Sequence, residues 1–136
     1  VNSLQTENGY VVRLPRSRRI RGGATYCAAC NTLFQGVAAD GAKVASFLIA
    51  KACYTQPDSP LFGTRIVAFV HDEFIGETDE AKAPESAEEL SRLMVQGAKT
   101  IMPDLLIKAE PALMARWSKE AETLRDANTR LSVWGK

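Results

Sequence analysis

Three adjacent polar residues, His71, Asp72 and Glu73, interrupt an otherwise apolar run between Arg65 and Gly76. Two neighbouring carboxylates at the end of an apolar strand carry a desolvation cost that must be offset, by water at an open hairpin tip or by a cation. Oxygen donors in that arrangement suit a hard divalent ion such as Mg2+, which keeps several waters and takes one or two carboxylates together with substrate phosphates. A histidine-dependent metal phosphohydrolase is excluded, because His71 is the only histidine. Cys27-Ala-Ala-Cys30 has the spacing of half a zinc site or of a redox dithiol. Zinc would need Cys53 and His71 to arrive from remote elements, so two helical thiols packed in the core are the favoured expectation. Arg13, Arg16, Arg18, Arg19 and Arg21 fall within nine residues. They form either a solvated turn or a phosphate site, and the repulsion among five guanidiniums favours the second.

The elements that must position these groups belong to one domain, because 136 residues hold a single core. Hydrophobic residues at 46% and charged residues at 24% argue against disorder, collagen and coiled coil. The longest nearly unbroken apolar run, residues 44–50, falls far short of the roughly 18 residues of a membrane helix, so no membrane partner is expected. The polar opening has no secretion-signal pattern, which makes a cytoplasmic location the expectation, and three cysteines are an odd number for a disulfide framework. The chain opens on Val1 rather than methionine, which suggests processing or a piece cut from something larger. A formal net charge of +1 conceals segments of +4 over residues 1–26 and −5 over residues 65–110.

Alternation in residues 9–14, a Pro15 break and the arginines after it predict a short strand pair with a basic turn. From about residue 24 to 54 there is no proline, and Leu33, Val37, Gly41, Val44, Ala45, Leu48 and Ala52 recur at helical steps, which predicts one long helix. Gly36 and Gly41 inside it imply a closely approaching backbone or ligand. Residues 65–70 read as a strand buried on both faces, followed by a tight hairpin at residues 71–73. A second helix is expected from Pro84 to about Pro103, a short strand at residues 105–107, a third helix from Pro111 with Leu113, Trp117, Ala121 and Leu124 inward, and a tail from Asn128. The fold class is α+β, a small antiparallel sheet packed on a long helix with two further C-terminal helices.

Residues 31–43, Asn-Thr-Leu-Phe-Gln-Gly-Val-Ala-Ala-Asp-Gly-Ala-Lys, closely resemble the palm helix of family A, or polymerase I type, DNA polymerases, N-x-P-x-Q-G-T-A-A-D-x-x-K. Some thirty residues later, Val70-His71-Asp72-Glu73 resembles that family's V-H-D-E motif. Gly9-Tyr10-Val11 with Arg18-Arg19 is similar to its G-Y-V...G-R-R-R segment, so the resemblance covers nearly the whole chain. It is identified as a divergent, phage-like C-terminal palm segment. The resemblance implies that Asp72 and Glu73 are catalytic, metal-holding carboxylates for Mg2+, with His71 near the primer 3′ end. It implies that Asn31 and Gln35, one turn apart, reach the minor-groove side of primer-template DNA, and that Arg18 and Arg19 hold backbone phosphates.

The implied reaction is template-directed nucleotidyl transfer from deoxynucleoside triphosphates to a primer 3′ hydroxyl, with two cations clamped by carboxylates. The D-x-S-x-x-E motif carrying the family's first catalytic aspartate has no counterpart here, nor do fingers or thumb. The chain would therefore be inactive alone and would need the upstream fingers, thumb and remaining palm. The isolated chain, left with an open sheet edge and an uncovered apolar face, is expected to self-associate. The alternative is a non-catalytic nucleic-acid-binding or assembly module derived from such a polymerase. Two carboxylates beside phosphates weigh against a pure binder.

Overall fold

Residues 3–135 are described by a computed structural model. In chain order they form β1 (Ser3–Thr6), β2 (Gly9–Arg13), β3 (Ile20–Ala24), α1 (Tyr26–Thr55), β4 (Arg65–Val70), β5 (Glu73–Glu77), a 3-10 turn at Glu80–Lys82, α2 (Ala83–Ile101), β6 (Leu113–Met114), β7 (Leu124–Arg125) and β8 (Leu131–Trp134). Helices and three small sheets make this an α+β fold.

The long helix forms where the periodicity places it. Thr25 caps it, its side chain accepting from the Ala28 N–H. Gln56 ends it, because the residue before Pro57 is pushed out of the helical region. Its buried residues fall in two sets. Ala29, Gly36 and Asp40 lie on one side of the first half, and Gly41, Ala45, Ile49, Ala52 and Cys53 belong to the second. At 3.6 residues per turn the two sets point in roughly opposite directions. The first side is covered by the antiparallel sheet β1-β2-β3, where Val12, Ala24 and Ala29 cluster with Tyr10, Ala28 and Leu33. The second is covered by α2 and the β4-β5 hairpin, through a core of Ala45, Ile49, Ala52, Cys53, Leu61 and Leu93 joined by Ile66, Phe74, Leu90 and Met94. On length and composition alone α1 could cross a membrane. In the fold its buried residues meet these two partners, while Phe34, Phe47 and Tyr54 stay exposed.

The glycines explain how closely the partners approach. A Cβ on Gly36 would strike Leu14, one on Gly41 would stand 3.2 Å from the Ala98 Cα, and one on Gly97 would collide with the Ala45 backbone. Gly97 opposes Ala45 while Ala98 opposes Gly41, so the two helices run antiparallel.

The sequence reading is corrected in several places. β4 is not buried on both faces. The hairpin has only two strands; Ile66 and Phe74 reach the core, while Val67, Phe69 and Val70 are 53%, 46% and 41% exposed. The expected third helix does not form. Leu113 and Met114 pair with Val133 and Trp134, and the Pro111 carbonyl accepts the Thr123 hydroxyl at 2.8 Å, so tertiary pairing overrides the local helical pattern. Residues 105–107 are irregular, with no strand alongside them, and the expected tail instead supplies β8 with the buried Leu131. The opening strand β1 was not foreseen.

The Gly97 contact is directly testable. Alanine is intrinsically the better helix former by about 1 kcal/mol, yet Gly97→Ala is expected to lower stability by about 1–3 kcal/mol because the helices must separate. Urea denaturation reads this, and an unchanged or raised midpoint would contradict the packing. Gly41→Ala should cost less.

Candidate functional site

Two devices fix the hairpin that carries the acidic pair. At its base, Thr64 just before β4 and Ser86 near the start of α2 are both buried. The Thr64 hydroxyl donates to that of Thr78 at 3.0 Å, Thr78 and Ser86 share a bond of 3.4 Å, and the Ser86 hydroxyl donates to the Pro60 carbonyl at 2.8 Å. These hydroxyls tie both ends of the hairpin to α2. The second device is an irregularity between Ile66 and Ala68. It leaves Val67 unpaired and keeps Ile66 on the same face as Phe69 and Phe74, whose rings lie 4.5 Å apart. The opposite face carries Ala68, Val70, Glu73 and Ile75.

Val70 pairs with Glu73, so His71 and Asp72 are the two residues of the turn. His71 has φ +55, the left-handed region that Asn or Gly would occupy at less cost in a purely architectural turn. His71, Asp72 and Glu73 are all exposed, and none has a side-chain hydrogen bond or ion pair among the described residues. Arg65 and Glu77 close the far end of the hairpin at 3.3 Å.

Asn31 and Gln35 are both exposed, one helical turn apart on the side of α1 turned away from β2 and β3, with Phe34 beside them at 75% exposure. No hydrogen bond or ion pair among the described residues joins them to the hairpin turn.

Most of the arginines have internal partners. Arg19 donates to the buried Asp40 at 2.8 Å, Arg16 to the Thr100 carbonyl at 2.7 Å and Arg21 to the Thr32 hydroxyl at 2.8 Å. Asp40, which the sequence reading did not single out, therefore answers part of the guanidinium crowding from within the fold. Its signal was a lone carboxylate amid small apolar residues of a helix. Arg18, at φ +57 in the β2-β3 turn, and Arg13 have no such partner among the described residues.

The chain matches no known family model, curated protein or solved structure. Its chemistry has to be read from the side chains themselves.

The donors at the turn are two carboxylates on adjacent residues, open to solvent. That set fits part of the shell of a hard divalent cation, with waters and phosphate oxygens completing it. Among the described residues no three His, Cys, Asp or Glu side chains are grouped to hold a metal, so further protein ligands would come from another segment. The expected core packing of Cys27 and Cys30 is corrected: both are exposed, because they lie on the side of α1 away from the buried Ala29, and only Cys53 is buried. Burial pushes the Cys53 thiol up, with Lys82 opposing the shift.

The two neighbouring arginines should part company on substitution. Arg19→Ala leaves the buried Asp40 carboxylate unanswered and is expected to cost about 1–3 kcal/mol of stability, read by thermal denaturation. Arg18→Ala should leave stability within about 0.5 kcal/mol. Equal effects would contradict the assignment of Arg19 to Asp40.

Proposed function

We propose that the chain is the C-terminal palm portion of a family A type DNA polymerase, presenting His71, Asp72 and Glu73 to a primer terminus and acting only with an upstream portion. One observation carries the reading: the V-H-D-E segment spans the tip of an antiparallel hairpin, with His71 and Asp72 as its two-residue turn, Val70 and Glu73 paired beneath them, and both carboxylates open to solvent. An ordinary hairpin tip has no need of a histidine in a left-handed conformation followed by two acids.

Three further features support it. Asn31 and Gln35 stand together on an open helix face, as side chains that read the minor-groove edge of a duplex must. Arg18 is free to meet a backbone phosphate, a contact that positions without reading sequence. The exposed apolar residues of the hairpin, Val67, Phe69 and Val70, offer a surface that the rest of a palm would cover.

In this reading Asp72 and Glu73 hold Mg2+, which when bound offsets the charge of the transferring phosphate and of the primer oxygen. Asp72 would present its oxygens from the turn and Glu73 from the first residue of β5. His71 sits beside them against the primer end, and Asn31 and Gln35 hold the duplex so that the 3′ hydroxyl meets the triphosphate. The contribution of these side chains is positioning and charge, the usual content of phosphoryl-transfer catalysis.

The isolated chain is expected to extend no primer with Mg2+ and all four deoxynucleoside triphosphates. Mixed with an upstream portion carrying fingers, thumb and the remaining palm, it should gain extension activity. Asp72→Ala should then remove more than the roughly 10–100-fold typically lost when only a ligand's supporting partner is changed. Asn31→Ala and Gln35→Ala should each weaken binding of primed duplex about 2–10-fold, as loss of one hydrogen bond does. If Asp72→Asn instead strengthened duplex binding and no mixture extended a primer, the chain would be a non-catalytic binding module.

A further inference from the structure

We infer that Cys27 and Cys30 form a redox-active dithiol that closes to a disulfide by exchange with low-molecular-weight disulfides. The inference is independent of the polymerase reading. It starts from exposure: both thiols are open to solvent at the start of α1, whereas Cys53 is buried in the core. Separation comes next. Residues three apart on an α-helix have Cα atoms about 5 Å apart, inside the ~4.4–6.8 Å that a disulfide bridges. Their Cβ atoms on a regular helix are about 5–6 Å apart against ~3.5–4.5 Å in a disulfide, so the first turn has to tighten for the bond to form.

The position of the pair makes that tightening inexpensive. The first helical hydrogen bond of α1 runs from the Ala29 N–H to the Thr25 carbonyl at 2.8 Å, so the N–H groups of Tyr26, Cys27 and Ala28 lie outside the ladder. Ala28 is held by the Thr25 hydroxyl at 3.3 Å, a long cap. Cys27 can therefore move toward Cys30 without breaking any helical bond that its own N–H donates. The same pair in the middle of α1 would have no such freedom.

The local side chains are consistent with two neighbouring sulfurs on one open face. The Tyr26 phenol is held above its ordinary range, chiefly by the neighbouring Cys30 and then by smaller pushes from Tyr10 and Cys27. Its ring is anchored edge-on against Tyr10, with centroids 5.8 Å apart. No third metal-ligating side chain is grouped with the thiols among the described residues, which favours exchange chemistry over a structural zinc site.

The reaction balances as a two-electron exchange. The sulfur of Cys27, as thiolate, attacks one sulfur of a small-molecule disulfide such as oxidised glutathione. The S–S bond of the reagent breaks and the first thiol leaves. Cys30 then attacks the Cys27 sulfur, the mixed disulfide breaks, and the second thiol leaves. Two cysteine thiols are oxidised, one external disulfide is reduced to two thiols, and the two thiol protons end on the released thiols.

The test uses the full chain, reduced and then freed of reductant, incubated with excess oxidised glutathione and weighed intact by mass spectrometry. The expected product has lost two hydrogen atoms, carries no glutathione, recovers the hydrogens with dithiothreitol, and shows Cys27 linked to Cys30 in its peptide map. Cys27→Ser and Cys30→Ser should each stop at a stable glutathione adduct on the remaining exposed thiol. Cys53→Ala should close as the parent does. A parent chain that ends with two glutathione adducts, forms disulfides only between chains, or does not react would overturn the inference.

Discussion

The close approach of two helices governs the rest of this molecule. Gly97 leaves no room for a side chain against the backbone of Ala45, and Gly41 meets Ala98 in the same way one turn earlier on α1. That contact sets the spacing of α1 and α2, and the β4-β5 hairpin packs into the core they create through Ile66 and Phe74. The hairpin is pinned again at its base by the Thr64, Thr78 and Ser86 hydroxyls. Its turn therefore points outward, and the acidic pair lies at the end of that chain of supports. Widening the helix pair would displace the turn, although no residue of the turn touches Gly97.

The exchange of buried faces along α1 divides the molecule into two parts that share one helix. The first half of α1 serves the β1-β2-β3 sheet, with Arg19 reaching across to Asp40 near the crossover. The second half serves α2 and the hairpin. Each half leaves its other side open. On the first half this exposes Cys27, Cys30, Asn31 and Gln35. On the second it exposes Lys43, Phe47, Lys51 and Tyr54. The open helix side and the solvent-facing carboxylates are the surfaces on which the proposed duplex and upstream portion would act.

The parts of this arrangement dictated by local rules were legible in the sequence. The long proline-free periodic stretch, Gln56-Pro57 at its end, Pro84 at the start of α2 and the polar break at residues 71–73 all report on backbone conformation close to themselves. The rest depended on distant partners. The apolar residues of β4 looked doubly buried because the sequence shows side-chain character and not what covers it; Val67 and Val70 are apolar yet open. The stretch after Pro111 has a helical pattern, but Leu113 and Met114 are claimed by β8, some twenty residues later. Cys27 and Cys30 were misplaced for a related reason. The periodicity of α1 was read as one continuous stripe, whereas its buried face changes sides. The crowded arginines pointed to a phosphate site, and nothing in the sequence alone paired Arg19 with Asp40.

The central claim is that Asp72 and Glu73 are placed on the turn to hold a divalent cation at a primer terminus. The most direct measurement is anomalous diffraction from manganese in crystals of the chain assembled with an upstream polymerase portion, primed duplex and a non-hydrolysable nucleoside triphosphate. The account predicts a manganese peak within coordination distance of a carboxylate oxygen of Asp72, lost on Asp72→Ala. Ordered duplex and nucleotide with no manganese at that turn would contradict it.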